Sequence, residues 1–395
     1  MRRLRATAAL LLLAACSNGG GGNAGEVTIV VSAPLSSSPW VAESVVRGTR
    51  LAVDELNAKG AHYRVVELDH GNNVERAQAN ARRAVDEGAA ALVTDGVGAV
   101  AVAGVTGPAN VPTFVTFEGG EGIVDEQARP TLFRMAPANR PMTVRLTDYL
   151  AGRKPRIALL TDDSGYGRDG REDLKRAIAQ NKLTVTSDLE LATGADPAPQ
   201  VLAARQSGAD TVLVWARAPV LASVISAVRS RGWDAPVWSG PTAEDPVVRQ
   251  QLAQHPEWLN GVGFVSFRMT AEIGPEPFTA FRAAYEKAFG PQRVGVSDGG
   301  REVVQPPDWA MYGYDSVRLV HEALRLTKGE KGGALVDMLR GQASVTGANG
   351  DERSFVPTNH EGVSPDDMYI ALFQRMRYKP AKDDLLSASL PEVPQ

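Results

Sequence analysis

The chain has 395 residues, a formal net charge of −4 and a hydrophobic content of 43%. A mildly acidic chain has no general electrostatic reason to bind nucleic acid, so we expect no nucleic-acid partner. The apolar content is sufficient for a sizeable core, and the length predicts two or three domain-sized units of a soluble protein.

The N-terminal segment is typical of an exported and anchored protein. Three arginines precede an apolar run over 6–15, which is too short to span a bilayer but has the layout of a secretory signal. Cys16 follows in the pattern Leu-Ala-Ala-Cys, which resembles the bacterial lipobox, and it is the only cysteine of the chain. We predict a signal peptide over 1–15, a lipid on Cys16 and a flexible glycine-rich tether over 16–25. The alternative is an ordinary signal peptide whose cysteine carries no lipid.

Strand and helix patterns alternate through the first half of the chain. A β-rich segment over 26–34 precedes a helical pattern that ends at Gly60, and a second strand and helix end at Asp69 and Gly88. The strand patterns AALVTD, VPTFVTF and PTLFRMAP follow in that order. This alternation predicts a parallel sheet covered by helices, with ligand sites at the carboxyl ends of the strands.

A second run of the same kind begins near Arg140. It contains the helix PMTVRLTDYLAG, the strand RIALLTDD and a turn SGYGRDGRED that leads into another helix. Two further helices, short strands and a loosely attached end over 380–395 complete the pattern. The sequence therefore predicts an α/β fold of two doubly wound, parallel-sheet lobes, with a cleft between them that suits a small ligand.

A glycine-rich loop after the third strand admits a second interpretation. Gly96, Gly98 and Ala101 spell G-x-G-x-x-A, and Glu118 closes the next apolar run, which together resemble a dinucleotide-binding fingerprint. NADH binding would test that interpretation, but the export signal opposes it because NAD is not normally supplied outside the cytoplasm.

Motifs for catalysis or metal binding are absent from the sequence. The five histidines lack metal-ligand spacing, no C-x-x-C or G-x-S-x-G motif occurs, and Asp162–Asp163 is interpreted as a solvated turn. We therefore predict that the protein is not an enzyme and uses neither a metal nor a cofactor.

Five segments occur in an order that resembles a known family: GTRLAVDELNAKG, VPTFVTFEGG…PTLFRMAPANRPM, RIALLTDDSGYGRDGREDLKRAI, ADTVLVWARAPVLASVISAVRSRGW and MYGYDSVRLVHEAL. The chain resembles the type I periplasmic solute-binding proteins of the branched-chain amino acid ABC uptake family over nearly all of its mature length. That family has two α/β lobes, joined by three crossover segments, which close on a ligand like a hinge. The resemblance implies a first lobe over 26–140 plus 270–342 and a second over 141–269 plus 343–379.

The resemblance also implies ligand-binding residues in the first lobe. In the family the loop after the third strand holds an amino acid's carboxylate, and here Val97, Gly98 and Ala99 would offer backbone N–H groups at a helix start. The hydroxyl expected near Val97 or Gly98 is missing, and a packing turn without a ligand is the alternative. In the next loop Glu118 and Gly119 occupy the segment that holds the amino group. A carboxylate there predicts an ion pair with a ligand ammonium, although a solvated glutamate is an equally simple interpretation.

In the second lobe, Tyr166 matches the family tyrosine that covers the ligand. The position where many relatives place an acid falls near Thr242, with Glu244 close by, and this shift puts a plain branched-chain amino acid in doubt. Trp40, Arg217 and Phe267 occupy other positions of the family's cleft wall.

These residues favour an extracytoplasmic, membrane-anchored lipoprotein that captures an amino acid or a small amide-like solute. The expected partners are that solute, an ABC permease and the membrane through the lipid, and we expect a monomer. The alternative is a lipoprotein of the same fold that senses a ligand or regulates the envelope through a protein partner. A neighbouring permease and ATPase gene pair would distinguish the first role from the second.

Overall fold

The computed structural model describes three stretches of the chain, residues 25–267, 276–364 and 367–384. The predicted signal peptide over 1–15, Cys16 and residues 385–395 of the predicted tail lie outside the described residues. Within the described stretches, no helix combines the length and apolar character that a membrane crossing needs.

The first lobe is built on a sheet of five strands. The strands are β1 (Val27–Ala33), β2 (Tyr63–Asp69), β3 (Ala91–Thr94), β4 (Thr113–Val115) and β5 (Leu132–Arg134). The helices between them are α1 (Pro39–Ala58), α2 (Val74–Asp86) and α3 (Ala99–Thr106). All neighbouring strands are parallel, in the spatial order β2-β1-β3-β4-β5. Every residue of β3, β4 and β5 is buried, as expected for short apolar strands covered on both faces.

The second lobe repeats this architecture. Its strands are β6 (Arg156–Asp162), β7 (Thr184–Leu191), β8 (Thr211–Trp215), β9 (Val237–Ser239) and β10 (Gly263–Phe267). Its helices are α4 (Asn139–Ala151), α5 (Gly165–Gln180), α6 (Ala198–Gln206), α7 (Ala218–Ser230) and α8 (Pro246–Gln251). These five strands are parallel, in the order β10-β9-β8-β6-β7.

The last third of the chain contributes to both lobes. Its elements are α9 (Glu276–Phe289), β11 (Gln292–Asp298), β12 (Arg301–Gln305), α10 (Ala310–Leu326), α11 (Gly333–Leu339), β13 (Ser344–Thr346), β14 (Glu352–Ser354), β15 (Met368–Gln374) and β16 (Arg377–Pro380). Helices α9 and α10 pack on α1, the hairpin β13–β14 packs on α10, and β11 contacts α8 of the second lobe. Strands β15 and β16 extend the second sheet as an antiparallel pair beside β10. The predicted α/β fold with two lobes is confirmed, whereas the residue boundaries of the lobes stay a prediction.

The first residues of the predicted tail pack against the second lobe. Arg145 of α4 pairs with Asp384 at 2.5 Å, and Arg153 next to the same helix pairs with Asp383. The described part of the segment over 380–395 is therefore tied to α4 rather than loosely attached.

Two glycines let α1 and α10 cross at close range. A methyl group at Gly48 would lie 2.0 Å from the carbonyl oxygen of Ala310, and one at Gly313 would lie 2.8 Å from that of Val45. Any larger residue would push the helices apart. This contact fixes the beginning of α10 against the first sheet and so positions Trp309, which precedes the helix.

Candidate functional site

The loops that follow the parallel strands of both sheets approach one another, and we call the boundary between them the cleft. The first lobe contributes the loops after β1, β3 and β4, and the second contributes those after β6, β8 and β9. Glu121 in the loop after β4 pairs with Arg176 of α5, so the two lobes contact each other in this structure. Most predicted site residues lie on these loops or in the first turn of the helix that follows each loop: Trp40, Val97–Ala99, Glu118, Gly119, Tyr166, Arg217 and Thr242.

A buried carboxylate lies beneath the glycine-rich loop. Asp95 follows β3, is 6% exposed, and accepts hydrogen bonds from His70 Nε2 at 3.0 Å and from the Val97 N–H at 3.2 Å. His70 Nδ1 accepts from the Asn72 N–H at 3.1 Å, so Nε2 is the nitrogen that carries hydrogen toward Asp95. This pair escaped sequence reasoning because the two residues belong to different strand ends.

The N–H groups of the glycine-rich loop are largely used inside the loop. The Val97 N–H donates to Asp95, and the Ala99 N–H donates to the Gly96 carbonyl at 2.9 Å. Gly98 has a left-handed backbone (φ 65°) and packs against Val74 of α2. Since a negative charge lies under these donors, the structure offers little electrostatic attraction for an anion here, and the predicted carboxylate contact stays a prediction.

Glu118 takes its position from a close contact with the glycine-rich loop. Gly96 has φ 123°, and a methyl group there would lie 2.3 Å from the Glu118 Cβ and 2.9 Å from Val115 Cγ1. The Glu118 N–H donates to the Asp95 carbonyl at 3.0 Å. Gly119, by contrast, packs on the start of α4, where its carbonyl accepts from the Asn139 N–H at 2.7 Å. Glu118 thus lies at the cleft, whereas Gly119 contacts the beginning of α4 in the second lobe.

Carboxylates from the two lobes approach each other at Gly120. A methyl group on Gly120 would lie 2.9 Å from Asp169 Oδ2 and 3.5 Å from Glu118 Oε1. Burial is the main reason that the pKa of Glu118 is raised to about 7. The negative charges of Asp169 and Asp95 raise this pKa further, whereas the hydrogen bond from the Gly120 N–H lowers it. Burial also raises the pKa of Asp169. We call Glu118 and Asp169 the cleft pair.

Tyr166 lies on an aromatic floor in the second lobe. Ser164 caps α5 by accepting from the Gly167 N–H at 3.0 Å, and this cap turns Tyr166 over Trp215, with ring centroids 5.6 Å apart. A methyl group on Gly170 would lie 2.0 Å from Trp215, so the glycines of this turn make room for the indole. The buried Tyr166 hydroxyl lies beside the Thr242 hydroxyl but makes no hydrogen bond of ordinary geometry among the described residues, and burial raises its pKa.

Asp162 organises the remaining predicted residues of the second lobe. Its carboxylate is fully buried and accepts from the Arg217 N–H at 2.9 Å, with the Arg217 guanidinium 3.8 Å away. The interpretation of Asp162 as part of a solvated turn is therefore wrong, because the end of β6 lies beneath α5 and α7. The Arg217 side chain is 56% exposed. The Thr242 hydroxyl donates to the Ala216 carbonyl at 2.9 Å, inside the lobe.

Aromatic rings form the wall of the first lobe. Phe117 stacks on Trp309 with centroids 4.6 Å apart, and Trp40 packs edge-on against both rings. Phe267, the last residue of β10, meets Trp309 edge-on at 5.3 Å. Trp40 and Phe267 thus join one cluster, and its central member, Trp309, was not predicted because the motif that carries it resembles an ordinary helix start.

A second pair of carboxylates lies behind this wall. The Trp309 indole N–H donates to Glu244 Oε2 at 2.7 Å, and the Trp309 backbone N–H donates to Asp308 Oδ1 at 3.0 Å. Both carboxylates are 1% exposed. We call Glu244 and Asp308 the interior pair. Across the described residues, no group of three or more His, Cys, Asp or Glu side chains is arranged to hold a metal ion.

The fold matches solved structures of binding proteins over most of the chain. A type 1 periplasmic binding protein from Bordetella pertussis Tohama I has 20% identity and a TM-score of 0.79, with 90% of this chain and 100% of that chain covered. The Streptococcus pneumoniae branched-chain amino acid transporter substrate-binding protein LivJ, in complex with isoleucine, has 19% identity and a TM-score of 0.74, covering 89% and 97%.

A third match is the solute-binding protein of an ABC transporter from Rhodopseudomonas palustris BisB5 in complex with 3,4-dihydroxybenzoic acid. It has 20% identity and a TM-score of 0.72, with 88% of this chain and 93% of that chain covered. No curated protein matches the chain. The family model described as periplasmic binding protein matches residues 26–375. Because that match spans most of the chain, the chain belongs to the periplasmic binding protein family. The members of this family are solute-binding proteins rather than enzymes.

Proposed function

We propose that this protein is the extracytoplasmic substrate-binding lipoprotein of an ABC uptake transporter and that it captures an amine-bearing solute, an amino acid or a small amide-like compound, between its lobes. The observation that carries the proposal is the cleft pair. Glu118 and Asp169 come from opposite lobes and approach the same glycine. A cation between them would hold the lobes together, because each lobe would supply one partner.

The charges around the cleft pair support an ammonium rather than an anion. The nearby Arg134 guanidinium is already occupied, since it donates to Glu361 Oε2 and to the Gly120 carbonyl, each at 2.7 Å. Above the Glu118 pKa of about 7, the cleft pair therefore has a negative potential, which would repel the carboxylate of a solute that has no amine.

Arg217 supplies a partner for the other end of an amino acid. Its guanidinium is more than half exposed at the second-lobe wall, and Tyr166 on the same lobe offers an apolar ring with a polar tip. An amino acid could therefore place its ammonium at the cleft pair and its carboxylate toward Arg217. The isoleucine of the Streptococcus relative fits this chemistry, whereas the benzoic acid derivative of the Rhodopseudomonas relative carries no amine.

A matched set of four solutes tests this proposal. Leucine, leucinamide, isopentylamine and 4-methylpentanoate share one side chain but differ in their amine and carboxyl groups, and thermal unfolding would be followed with each. We expect the three amines, but not the acid, to raise the unfolding temperature, since a ligand at 100 times its Kd stabilises by about 2.7 kcal/mol. Stabilisation by 4-methylpentanoate or by 3,4-dihydroxybenzoate alone would contradict the assignment of an amine-bearing solute.

The lipid anchor is part of the proposal, and it depends on Cys16, the only cysteine of the chain. We expect Cys16→Ser to release the protein from membranes into the soluble fraction, because a cleaved signal peptide would leave no other anchor. Fractionation followed by a salt wash measures this. Retention of the Cys16→Ser protein in the pellet would show that the anchor lies elsewhere.

A further inference from the structure

The interior pair joins the two lobes at a second place, apart from the proposed ligand contacts. Glu244 follows β9 of the second lobe, whereas Asp308 precedes α10, which packs along α1 of the first lobe. Trp309 binds both carboxylates, through its indole N–H and its backbone N–H. Separation of the lobes would break the bond between Trp309 and Glu244 and expose both carboxylates to water.

Two oxygens of the interior pair are buried without a well-formed hydrogen bond. Within the described residues, Glu244 Oε1 and Asp308 Oδ2 make no hydrogen bond of ordinary geometry, although the Ser266 hydroxyl lies beside Glu244. Such atoms are costly to bury unless a hydrogen is supplied. Protonation of either carboxylate would turn one of these oxygens into a hydroxyl and remove one buried negative charge.

The adjacent guanidinium does not supply the missing donors. Arg249 of α8 is fully buried, and its Nη2 donates to the Glu244 carbonyl at 2.7 Å and to Gln305 Oε1. Arg249 Nε and Nη1 have no partner among the described residues, so they do not reach the free carboxylate oxygens. The guanidinium therefore donates its hydrogen bonds to neutral oxygens and acts on the two carboxylates only through its charge.

The other charged groups around the pair do not remove the excess negative charge. Asp245 adds a carboxylate beside Arg249, where it caps α8 by accepting from the Val247 N–H at 2.9 Å. Arg282 of α9 attracts the Asp308 carboxylate but is itself paired with Glu286 at 2.7 Å. The remaining titratable neighbours are three buried tyrosines, Tyr312, Tyr369 and Tyr378. Burial raises the pKa of Asp308 to about 7, and burial with repulsion from Asp308 raises that of Glu244.

We propose that closure of the two lobes takes up one proton onto the interior pair, so that the closed arrangement is favoured as the pH falls. This inference rests on the proposed function as a clamp whose lobes move apart. In the open arrangement both carboxylates would be hydrated and would titrate near pH 4. The closed arrangement therefore gains over the open one as the pH falls through about 7, by up to tenfold per pH unit, and the gain ends near pH 4.

Distances between spin labels on the two lobes test the proposal without any solute. The full chain with Cys16→Ser, Ala58→Cys and Leu202→Cys carries one label at the end of α1 and one on α6, both at exposed positions. We expect the ratio of short to long distances to rise at least tenfold between pH 8 and pH 5.5. Asp308→Asn and Glu244→Gln should each weaken this response, and the variant with both changes should abolish it, because burial alone raises the pKa of the carboxylate that a single change leaves behind.

A matched control and a second ligand arm separate the possible outcomes. Glu67→Gln removes a carboxylate on β2, distant from the interior pair, and should keep the wild-type response. If the distances between the spin labels shorten with a mixture of the standard amino acids but not when the pH is lowered, the proposed proton uptake is wrong, whereas the proposed closure of the lobes on a solute is supported. Distances that respond to neither would overturn both, and a pH response retained in the variant with both Asp308→Asn and Glu244→Gln would also overturn the assignment to this pair.

Discussion

The cleft pair and the interior pair have the same composition and different surroundings. Each joins one carboxylate from the first lobe to one from the second. Glu118 and Asp169 are partly open to the cleft, beside a glycine that leaves space between them, whereas Glu244 and Asp308 are almost fully buried. We infer that two carboxylates on opposite lobes bind a cationic solute where there is space between them and take up a proton where there is none.

The largest effect is expected from a change in the backbone that positions Glu118 of the cleft pair. Gly96→Ala places a methyl group 2.3 Å from the Glu118 Cβ on a backbone with φ 123°. We expect a loss of about 2–4 kcal/mol in the free energy of unfolding, from overpacking and backbone strain together. Urea denaturation measures it.

Gly122→Ala is the matched control for that change. Gly122 also has a positive φ of 75°, but a methyl group there would meet nothing within 4 Å. We expect a loss of about 1 kcal/mol, from the backbone alone. Equal losses in the two variants would mean that the contact with Glu118 contributes nothing.

Removing the charge of Glu118 tests whether the cleft pair binds the solute. Glu118→Gln should weaken an amine-bearing solute by about 10- to 100-fold at pH 8, because the ammonium loses a half-buried partner. Titration calorimetry with the solute found in the four-compound screen measures this. Glu121→Gln, which removes a half-exposed carboxylate paired with Arg176, should cost less than about fivefold. Wild-type affinity in Glu118→Gln would place the ammonium elsewhere.

The two pairs should give opposite pH dependences once they are separated. With Asp308→Asn and Glu244→Gln together, the affinity for an amine should fall roughly tenfold from pH 8 to pH 6, because Glu118, with a pKa of about 7, loses its charge. With Glu118→Gln, the affinity should rise by a similar factor, since the interior pair gains its proton on closure. The wild-type profile should be flatter than either. Slopes of the same sign in both variants would contradict the division of roles.

The smallest effect is expected at the Tyr166 hydroxyl. Because this buried group makes no hydrogen bond of ordinary geometry among the described residues, Tyr166→Phe should change the free energy of unfolding by less than about 1 kcal/mol, in the stabilising direction. Tyr166→Ala should instead weaken solute binding by about 1–3 kcal/mol, as a cleft wall is lost. A large loss of affinity in Tyr166→Phe would show that the solute itself supplies the missing partner.

The fold could be read from the sequence because its signals are local. Strand ends, helix stops such as Gly60 and Gly88, and the order of the elements all follow from short patterns. The cleft loops were predicted for the same reason, since parallel strands place their carboxyl ends at one edge.

Contacts between distant segments could not be predicted. The bond between Trp309 and Glu244 joins residues 65 positions apart, and the sequence gives no sign that Glu244 is buried against this indole. Asp169 lies on an amphipathic helix face, where an acid is ordinarily solvated, and only the approach of Gly120 from the other lobe gives it significance. Such pairings depend on the three-dimensional arrangement of the lobes rather than on neighbouring residues.

The opposite ends of the described fold belong to different lobes. Strand β1 begins in the first sheet, while β16 and the ion pairs of Asp383 and Asp384 hold the last described residues on α4 of the second lobe. A donor and an acceptor fluorescent protein fused before β1 and after Asp384 would therefore be attached to different lobes. If the lobes move as proposed, energy transfer between these reporters would turn the protein into an optical sensor for its solute.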